Sequence, residues 1–284
     1  MSGRTQAVQT MPDRGRRVRT ALIAVALAYV GVLLLAPLGG IAWVAVKGGW
    51  GVVVDTLSRA DVKHAYVLTA LITVITVAVT AVFGLAVALV LTRDSFPGRR
   101  LLSGVVDLPL AVSPVIVGLM AVLLFGRGGW FEPFFASRGI QIIFALPSMV
   151  IVTIFICIPF VIREVVPVLE ELGIEEEDAA RTLGASSRQT FLRVTLPNIR
   201  WGLLYGMALS TARALGEIGA VLIVSGAIQG RTETATLYVL RAIEERQEAA
   251  GYLVALTLAL TSIVLLGAIE LFKRKQVRSK EMTE

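Results

Sequence analysis

The sequence predicts an all-α membrane protein with six transmembrane helices, and three observations support this fold class. Hydrophobic residues make up 56% of the 284 positions, more than the roughly 45–50% apolar share of soluble domains. Several apolar runs are long enough to cross a bilayer, which takes ~20 residues. Lysines and arginines are concentrated in alternate loops between these runs, as expected when those loops remain in the cytoplasm.

Six apolar runs define the predicted spans, which are 20–46, 64–91, 101–125, 142–162, 201–224 and 249–272. The first run is too long for a cleaved signal peptide, and we expect Pro37, Gly39 and Gly40 to kink it. The third run contains Pro109 and Pro114, which remove two backbone donors. Because free carbonyls at membrane depth are tolerated only against protein or water, this helix should bend and face the bundle interior.

The positive charges predict the orientation. About two thirds of the 27 lysines and arginines fall in the segments 1–19, 92–100, 163–200 and 273–284. The positive-inside rule places these segments, and therefore both termini, in the cytoplasm. This distribution also accounts for the net charge of +6 without nucleic acid, for which the chain has neither a basic helix face nor interleaved aromatic residues.

Few residues in the chain carry catalytic chemistry. Cys157 is the only cysteine and His64 the only histidine, so we expect no intrachain disulfide, no metal site and no cofactor. We interpret Cys157 as a buried filler and His64 as an interfacial residue. The chain has no G-x-x-x-x-G-K-[ST] phosphate loop, which indicates that it does not hydrolyse ATP itself.

Two charges lie within the fifth predicted span. Arg213 and Glu217 are four residues apart, so an ion pair along one helix face is available. A charge at membrane depth is costly and often marks a pathway, but a structural ion pair fits equally well. Asp107, in the third span, fits a solvated surface role as well as a pathway role.

A polar, patterned stretch, 175–197, separates the fourth and fifth spans. Acidic residues open a first helix, where they meet the positive end of the macrodipole. Glu177 precedes Arg181 by four residues, a favourable ion-pair orientation, and the small side chains of Ala179 and Ala180 let a partner backbone approach.

A second short helix completes this stretch. Gly184 supplies a left-handed residue that ends the first helix, and Ser186 with Gln189 forms a capping box for the second. We expect Pro197 to break the second helix before the next span. The alternative is an amphipathic helix resting on the membrane surface.

The stretch resembles the cytoplasmic loop of permease subunits of binding-protein-dependent ABC importers. That signature, Glu-Ala-Ala, three residues, Gly, nine residues, Ile-x-Leu-Pro, appears as 178–180, Gly184 and 194–197, with Asp for Glu and Val for Ile. The resemblance implies a type I importer permease fold and a loop that docks on an ATPase and transmits its closure. The residues implied in this coupling are Glu177, Asp178, Ala179, Ala180, Gly184, Phe191, Leu196 and Pro197.

A second stretch narrows the resemblance. The run 212–232, ARALGEIGAVLIVSGAIQGRT, is similar to sulfate and thiosulfate importer permeases of the W-type. The resemblance implies a T-type partner permease, two ATPase subunits, a periplasmic sulfate-binding protein and a place in the bacterial cytoplasmic membrane. The residues expected in the translocation pathway or gate are Arg213, Glu217, Ser113 and Pro114.

Other functions remain open at this point. Molybdate permeases share the 213–220 part of the motif, so the same architecture fits another oxyanion. An ion-driven secondary transporter would need no ATPase, but the sequence shows no clear internal repeat. An intramembrane enzyme would need a constellation of catalytic side chains that a single histidine does not supply.

The predicted organisation has four parts. They are a cytoplasmic N-terminal segment (1–19), a first span with its external loop (20–63), a permease core (64–272) and a cytoplasmic tail (273–284).

Overall fold

A computed structural model describes the backbone of residues 13–281 and the side chains of residues 18–271. Most of the predicted N-terminal segment, and the side chains of the basic tail, lie outside the described residues. Within residues 13–281 the chain is helical, without a β-strand. The helices are α1 (Asp13–Lys47), α2 (Trp50–Ser58), α3 (Ala60–Arg93), α4 (Arg99–Ala111), α5 (Pro114–Phe125), α6 (Glu132–Ala136), α7 (Leu146–Leu172), α8 (Glu175–Thr182), α9 (Ser187–Thr190), α10 (Leu196–Leu215), α11 (Gly219–Ser225), α12 (Ala235–Glu244) and α13 (Glu248–Glu281).

The long apolar helices give the predicted number of spans. Four of them, α1, α3, α7 and α13, are long and apolar enough to cross a membrane singly. Two bent helix pairs are long and apolar enough when taken together: α4 and α5, bent by 110°, and the segment Ser187–Leu215 with α11, bent by 55°. Counting each bent pair as one span confirms the six predicted from the sequence.

The first helix shows no break at its proline. α1 continues as one helix through Pro37 to Lys47, so the proline does not end it, and the expected kink near Pro37, Gly39 and Gly40 stays a prediction. Each of those two glycines has open space where a side chain would stand, and α1 packs mainly along α13. An exposed helix can tilt the carbonyl that the proline leaves free without ending.

α7 forms the centre of the bundle. Half of its most apolar segment is buried within the chain, where it packs against α3 and α10 over most of its length. One buried cluster joins α7 to α3, α5 and α11, and a second joins the ends of α3, α7 and α10 nearest α8. α7 therefore contacts α3 and both bent helix pairs, whereas α1 and α13 pack mainly elsewhere in the bundle.

A polar cluster closes the other end of the bundle. Arg241 of α12 donates hydrogen bonds to Glu233 (2.6 Å), Asp61 (3.2 Å) and Glu245 (3.2 Å). The hydrogen bond to buried Glu233 is the main reason that the pKa of Arg241 is raised above its ordinary value. The guanidinium is therefore charged at every physiological pH and ties α12 to the start of α3.

Candidate functional site: the elbow and the two bent helices

The patterned stretch forms a compact elbow of α8 and α9, named here the elbow (175–190). Gly184 has a φ of +87°, the left-handed conformation that glycine adopts without strain. The capping box is present, with the Ser186 N–H donating to Gln189 Oε1 (2.9 Å) and the Gln189 N–H donating to Ser186 Oγ (3.4 Å). These local features hold the two short helices at a fixed turn.

The expectation that Pro197 ends the second helix is wrong. α9 passes through a π-helical turn, Phe191–Thr195, directly into α10, and Pro197 lies in the first turn of α10. The Leu196 N–H bonds to the Phe191 carbonyl, five residues back. The wider turn accommodates the proline ring, whose missing donor is tolerated at a helix start. The elbow is therefore continuous with the fifth span.

The outer surface of the elbow combines small side chains and one exposed leucine with charged residues. Ala179 is exposed and Ala180 half-exposed, while Leu183 at the tip of the turn is 88% exposed. The small side chains leave room for the backbone of another protein to approach at this point. Leu196 and Phe191, also expected in this surface, are half-buried, and Pro197 is exposed.

Glu177 points the other way, into the bundle. Its Oε1 accepts hydrogen bonds from Arg93 Nη2 (3.0 Å) and Thr195 Oγ1 (3.0 Å). Arg93, the last residue of α3, also donates to the carbonyl of Leu169 near the end of α7 (3.2 Å). The ion pair with Arg181 that the sequence predicted is present but long, at 3.9 Å. Glu177 thus anchors the elbow to two spans instead of lying on its outer surface.

Arg213 and Glu217 form the expected ion pair, with 2.6 Å between Nη1 and Oε2. Glu217, however, does not lie in a continuous helix, because α10 ends at Leu215. Its other carboxylate oxygen accepts the Ala220 N–H (2.8 Å), in the first turn of α11. The Glu217 side chain is 2% exposed and that of Arg213 29% exposed, so the carboxylate holds the bend from within while the guanidinium reaches the surface of the chain.

The two bends lie against each other. Gly219 packs so closely on α5 that a Cβ there would lie 3.1 Å from Pro114 Cβ. One turn along α5, a Cβ on Gly118 would lie 2.9 Å from the Ala220 carbonyl oxygen. Pro114, Arg213 and Glu217 are therefore brought to one region, next to which the side chain of Ser113 is exposed. Asp107 lies apart, in an exposed ion pair with Arg163 (2.9 Å).

Comparison with known proteins gives the family. A model of the family described as "Binding-protein-dependent transport system inner membrane component" matches residues 81–278. The chain belongs to this family. A sulfate transport system permease protein CysW from Synechocystis is 48% identical over 259 residues, which are 91% of this chain and 94% of that protein. A sulfate transport system permease protein CysT from Salmonella typhimurium is 36% identical over 250 residues, which are 88% and 90% of the two chains.

A solved structure shares the fold of this transport component. The crystal structure of a bacterial alginate ABC transporter, in complex with a pentasaccharide-bound periplasmic protein, matches with a TM-score of 0.76. The match covers 92% of this chain and 96% of that one at 15% identity, and at that identity it shows the fold alone. The resemblance to W-type importer permeases and the type I permease fold are thus confirmed.

Close packing of the fifth span was expected from its small residues, including Gly206 and Ser210, but the sequence did not identify α7 as the partner helix. The GxxxG motif at Gly202 and Gly206 is common by chance, but here it lies in the interface. A Cβ on Gly206 would lie 2.9 Å from Val161 Cα, and one on Gly202 would lie 3.0 Å from the Glu164 carbonyl oxygen. One turn on, the Ser210 hydroxyl donates to the Cys157 carbonyl (3.1 Å). Small residues every four positions allow such contact between membrane helices, so α7 and α10 form one closely packed pair.

Proposed function

We propose that this chain is the membrane-spanning permease subunit of an ATP-driven importer for sulfate or thiosulfate. The relatives named as sulfate transport permeases support the substrate, because the identity extends over nearly the whole chain. The observation that carries the coupling role is the elbow, which presents Ala179 and Leu183 outward while Glu177 fixes it to the bundle.

The proposed partners rest on the relatives for the second permease and on the resemblance of the elbow to importer coupling loops for the others. A related T-type permease completes the pore, since proteins named CysT are also relatives of this chain. Two ATPase subunits drive the cycle and a periplasmic sulfate-binding protein delivers the anion. The complex lies in the bacterial cytoplasmic membrane, with the elbow and both termini in the cytoplasm, in line with the positive-inside rule. The chain supplies part of the translocation pathway and hydrolyses nothing itself.

The proposed mechanism is mechanical. Closure of the ATPase subunits moves the elbow, and the continuous helix from Ser187 to Leu215 carries this movement to the bend at Glu217. Because α7 and α10 pack without room for a side chain at Gly206, they move together. The bends at Pro114 and Glu217 lie against each other, so their displacement opens or closes the pathway. This is a shear of packed helices between two discrete states.

A substitution on the outer face of the elbow tests the proposal. Ala180→Glu places a charged side chain where a partner backbone approaches, without altering the contacts of Glu177. In membranes that contain the complete transporter, we expect sulfate uptake to fall by at least about tenfold while the four-subunit complex still assembles. Gly184→Pro, which removes the left-handed residue, should act in the same way.

The control is Ala249→Glu, a half-buried alanine in the first turn of α13 at the other end of the bundle. A glutamate there is compatible with the helix N-terminus, so uptake should stay near wild type. Normal uptake of radiolabelled sulfate by the Ala180→Glu transporter would contradict the coupling role. Uptake of molybdate but not sulfate by the wild-type complex would contradict the proposed substrate.

A further inference from the structure

The contact between α3 and the elbow is buried and made by charged groups. The Arg93 and Glu177 side chains are 18% and 9% exposed and lie 3.0 Å apart. The other charged pairs described at this end of the bundle have at least one exposed partner: Arg99 and Glu170 are both exposed at 3.9 Å, and Arg181, 3.9 Å from Glu177, is exposed. An ion pair in a low-dielectric environment is stronger and geometrically stricter than one in water.

This contact joins segments that are remote in sequence. Arg93 ends α3 and is 84 residues from Glu177. The guanidinium also holds the Leu169 carbonyl of α7, while Thr195 of the π-helical turn holds the same carboxylate oxygen of Glu177. The elbow is covalently continuous with α7 and α10 but not with α3. Arg93 therefore makes the direct polar connection by which α3 follows the elbow.

We propose that Arg93 is a positioning residue for transport: it couples movement of the elbow to α3, so that α3, α7 and α10 respond to the ATPase as one unit. This proposal rests on the proposed function and adds a specific path for the coupling. Without the guanidinium, the buried carboxylate of Glu177 has no full counter-charge, and the elbow moves without taking α3 along. ATP hydrolysis then continues with little transport.

The alternative is an ion pair that only stabilises the fold. Such a pair would lower the thermal stability of the complex when removed, but the complexes that remained folded would transport the usual number of anions per ATP. The two roles therefore differ in the ratio of sulfate transported to ATP hydrolysed. A lysine at position 93 also separates the two roles. The contacts to both Glu177 and Leu169 need the planar fork of arginine, so lysine should restore coupling only in part.

The experiment uses the complete transporter, with both permeases, the ATPase subunits and the binding protein, in proteoliposomes. Arg93→Gln should leave ATP hydrolysis within about threefold of wild type and lower sulfate transported per ATP by about tenfold or more. Arg93→Lys should restore the ratio only in part, because an ammonium cannot reproduce both contacts. The matched control is Arg99→Gln, which removes an exposed pair at the same end and should leave the ratio unchanged.

Glu177→Gln provides a second variant if Arg93→Gln does not assemble. It keeps the size of the side chain and the hydrogen bond from Thr195 but removes the charge, and it should lower the same ratio. If the ratio for Arg93→Gln, or for Glu177→Gln in its place, equals that of Arg99→Gln, Arg93 has no role in coupling. If the wild-type transporter shows no ATP-dependent sulfate uptake, the proposed function itself fails.

Discussion

Glu177 and Asp178 are adjacent carboxylates with different surroundings. Glu177 is buried against Arg93, whereas Asp178 is exposed and pairs with Arg181 at 3.4 Å. Successive residues of a helix point about 100° apart, so one of them faces the bundle and the other faces the solvent. The first holds the elbow in place, and the second leaves its outer face polar around Ala179. Removing the charge of Asp178 should accordingly matter far less for stability, since exposed pairs contribute ~0–1 kcal/mol.

Gly206, at the contact between α7 and α10, allows a prediction about stability. In Gly206→Ala the new Cβ would lie 2.9 Å from Val161 Cα, and backbone contacts of this kind cannot be relieved by rotating a side chain. We expect the variant to lose about 1–3 kcal/mol of stability, as other overpacked interiors do. Thermal unfolding in detergent, followed by intrinsic fluorescence, measures the loss.

Gly267→Ala is the matched control, because this glycine of α13 has nothing within 4 Å of the site of a Cβ. Alanine favours a helix over glycine by about 0.5–1 kcal/mol, so this variant should be unchanged or slightly more stable. An unfolding midpoint for Gly206→Ala equal to that of Gly267→Ala would show that α7 and α10 are not closely packed in the membrane.

At the scale of elements, the two bent helices stabilise each other. α5 begins at Pro114, which fits a first helical position, and Gly219 lets the start of α11 approach it. α11 in turn begins where the Glu217 carboxylate caps the Ala220 N–H. Neither bend is an isolated defect, since each packs on the backbone of the other. A movement of one bend therefore requires a movement of the other.

The ion pair at the second bend predicts that its two partners, when substituted singly, lower the stability by different amounts. Arg213→Gln leaves the Glu217 carboxylate, 2% exposed, without its counter-charge, and should cost about 3–5 kcal/mol of stability. Glu217→Gln should cost clearly less, because the amide oxygen can still cap Ala220 and the more exposed Arg213 can be hydrated. The double variant should recover much of the loss, because it leaves no buried charge. Thermal unfolding of the three variants in detergent tests this, and equal losses from both single variants would contradict it.

The third span and the elbow could be predicted from local chemistry, but the bend of the fifth span could not. Pro109 and Pro114 remove backbone donors wherever they stand, and Gly184 with the capping box fixes the elbow turn without help from other segments. Gly216 and Gly219 fit a slim, close-packed helix as well as a broken one. Whether the fifth span is continuous or broken depends on its packing against Pro114, which is about a hundred residues away in sequence.

The same limit applies to the coupling residues. One acidic residue of 175–178 faces the bundle because it contacts Arg93 and Thr195. These two residues are remote in sequence, so their proximity could not be predicted. The motif predicted a coupling loop, and the proline in it was expected to end a helix. The π-helical turn widens the backbone before Pro197, so the helix continues although it contains a proline. No single residue type predicts a π-helical turn.

At the scale of the whole molecule, the two ends of the bundle differ. The elbow closes one end with an exposed surface around Leu183, and the cluster around Arg241 closes the other end with charged groups that include buried Glu233. α7 runs between them, from Leu146 to Leu172. Such an arrangement suits a subunit that receives force on one side of the membrane and responds in its interior.

The sidedness of these two ends is the most general prediction. The proposed ATPase needs cytoplasmic ATP, so we expect the elbow to lie in the cytoplasm and the loop around Ser137 to lie outside. Single cysteines at the exposed positions Ser187 and Ser137 test this with a membrane-impermeant maleimide. In intact cells, Ser137→Cys should be labelled, whereas Ser187→Cys should be labelled only after the membrane is permeabilised. Cys157 is fully buried, so the unmodified chain should stay unlabelled until it is denatured and serves as the control. Labelling of Ser187→Cys from outside would place the elbow beyond the reach of any ATPase and would overturn the mechanism, because no other exposed surface of the described chain carries the coupling signature.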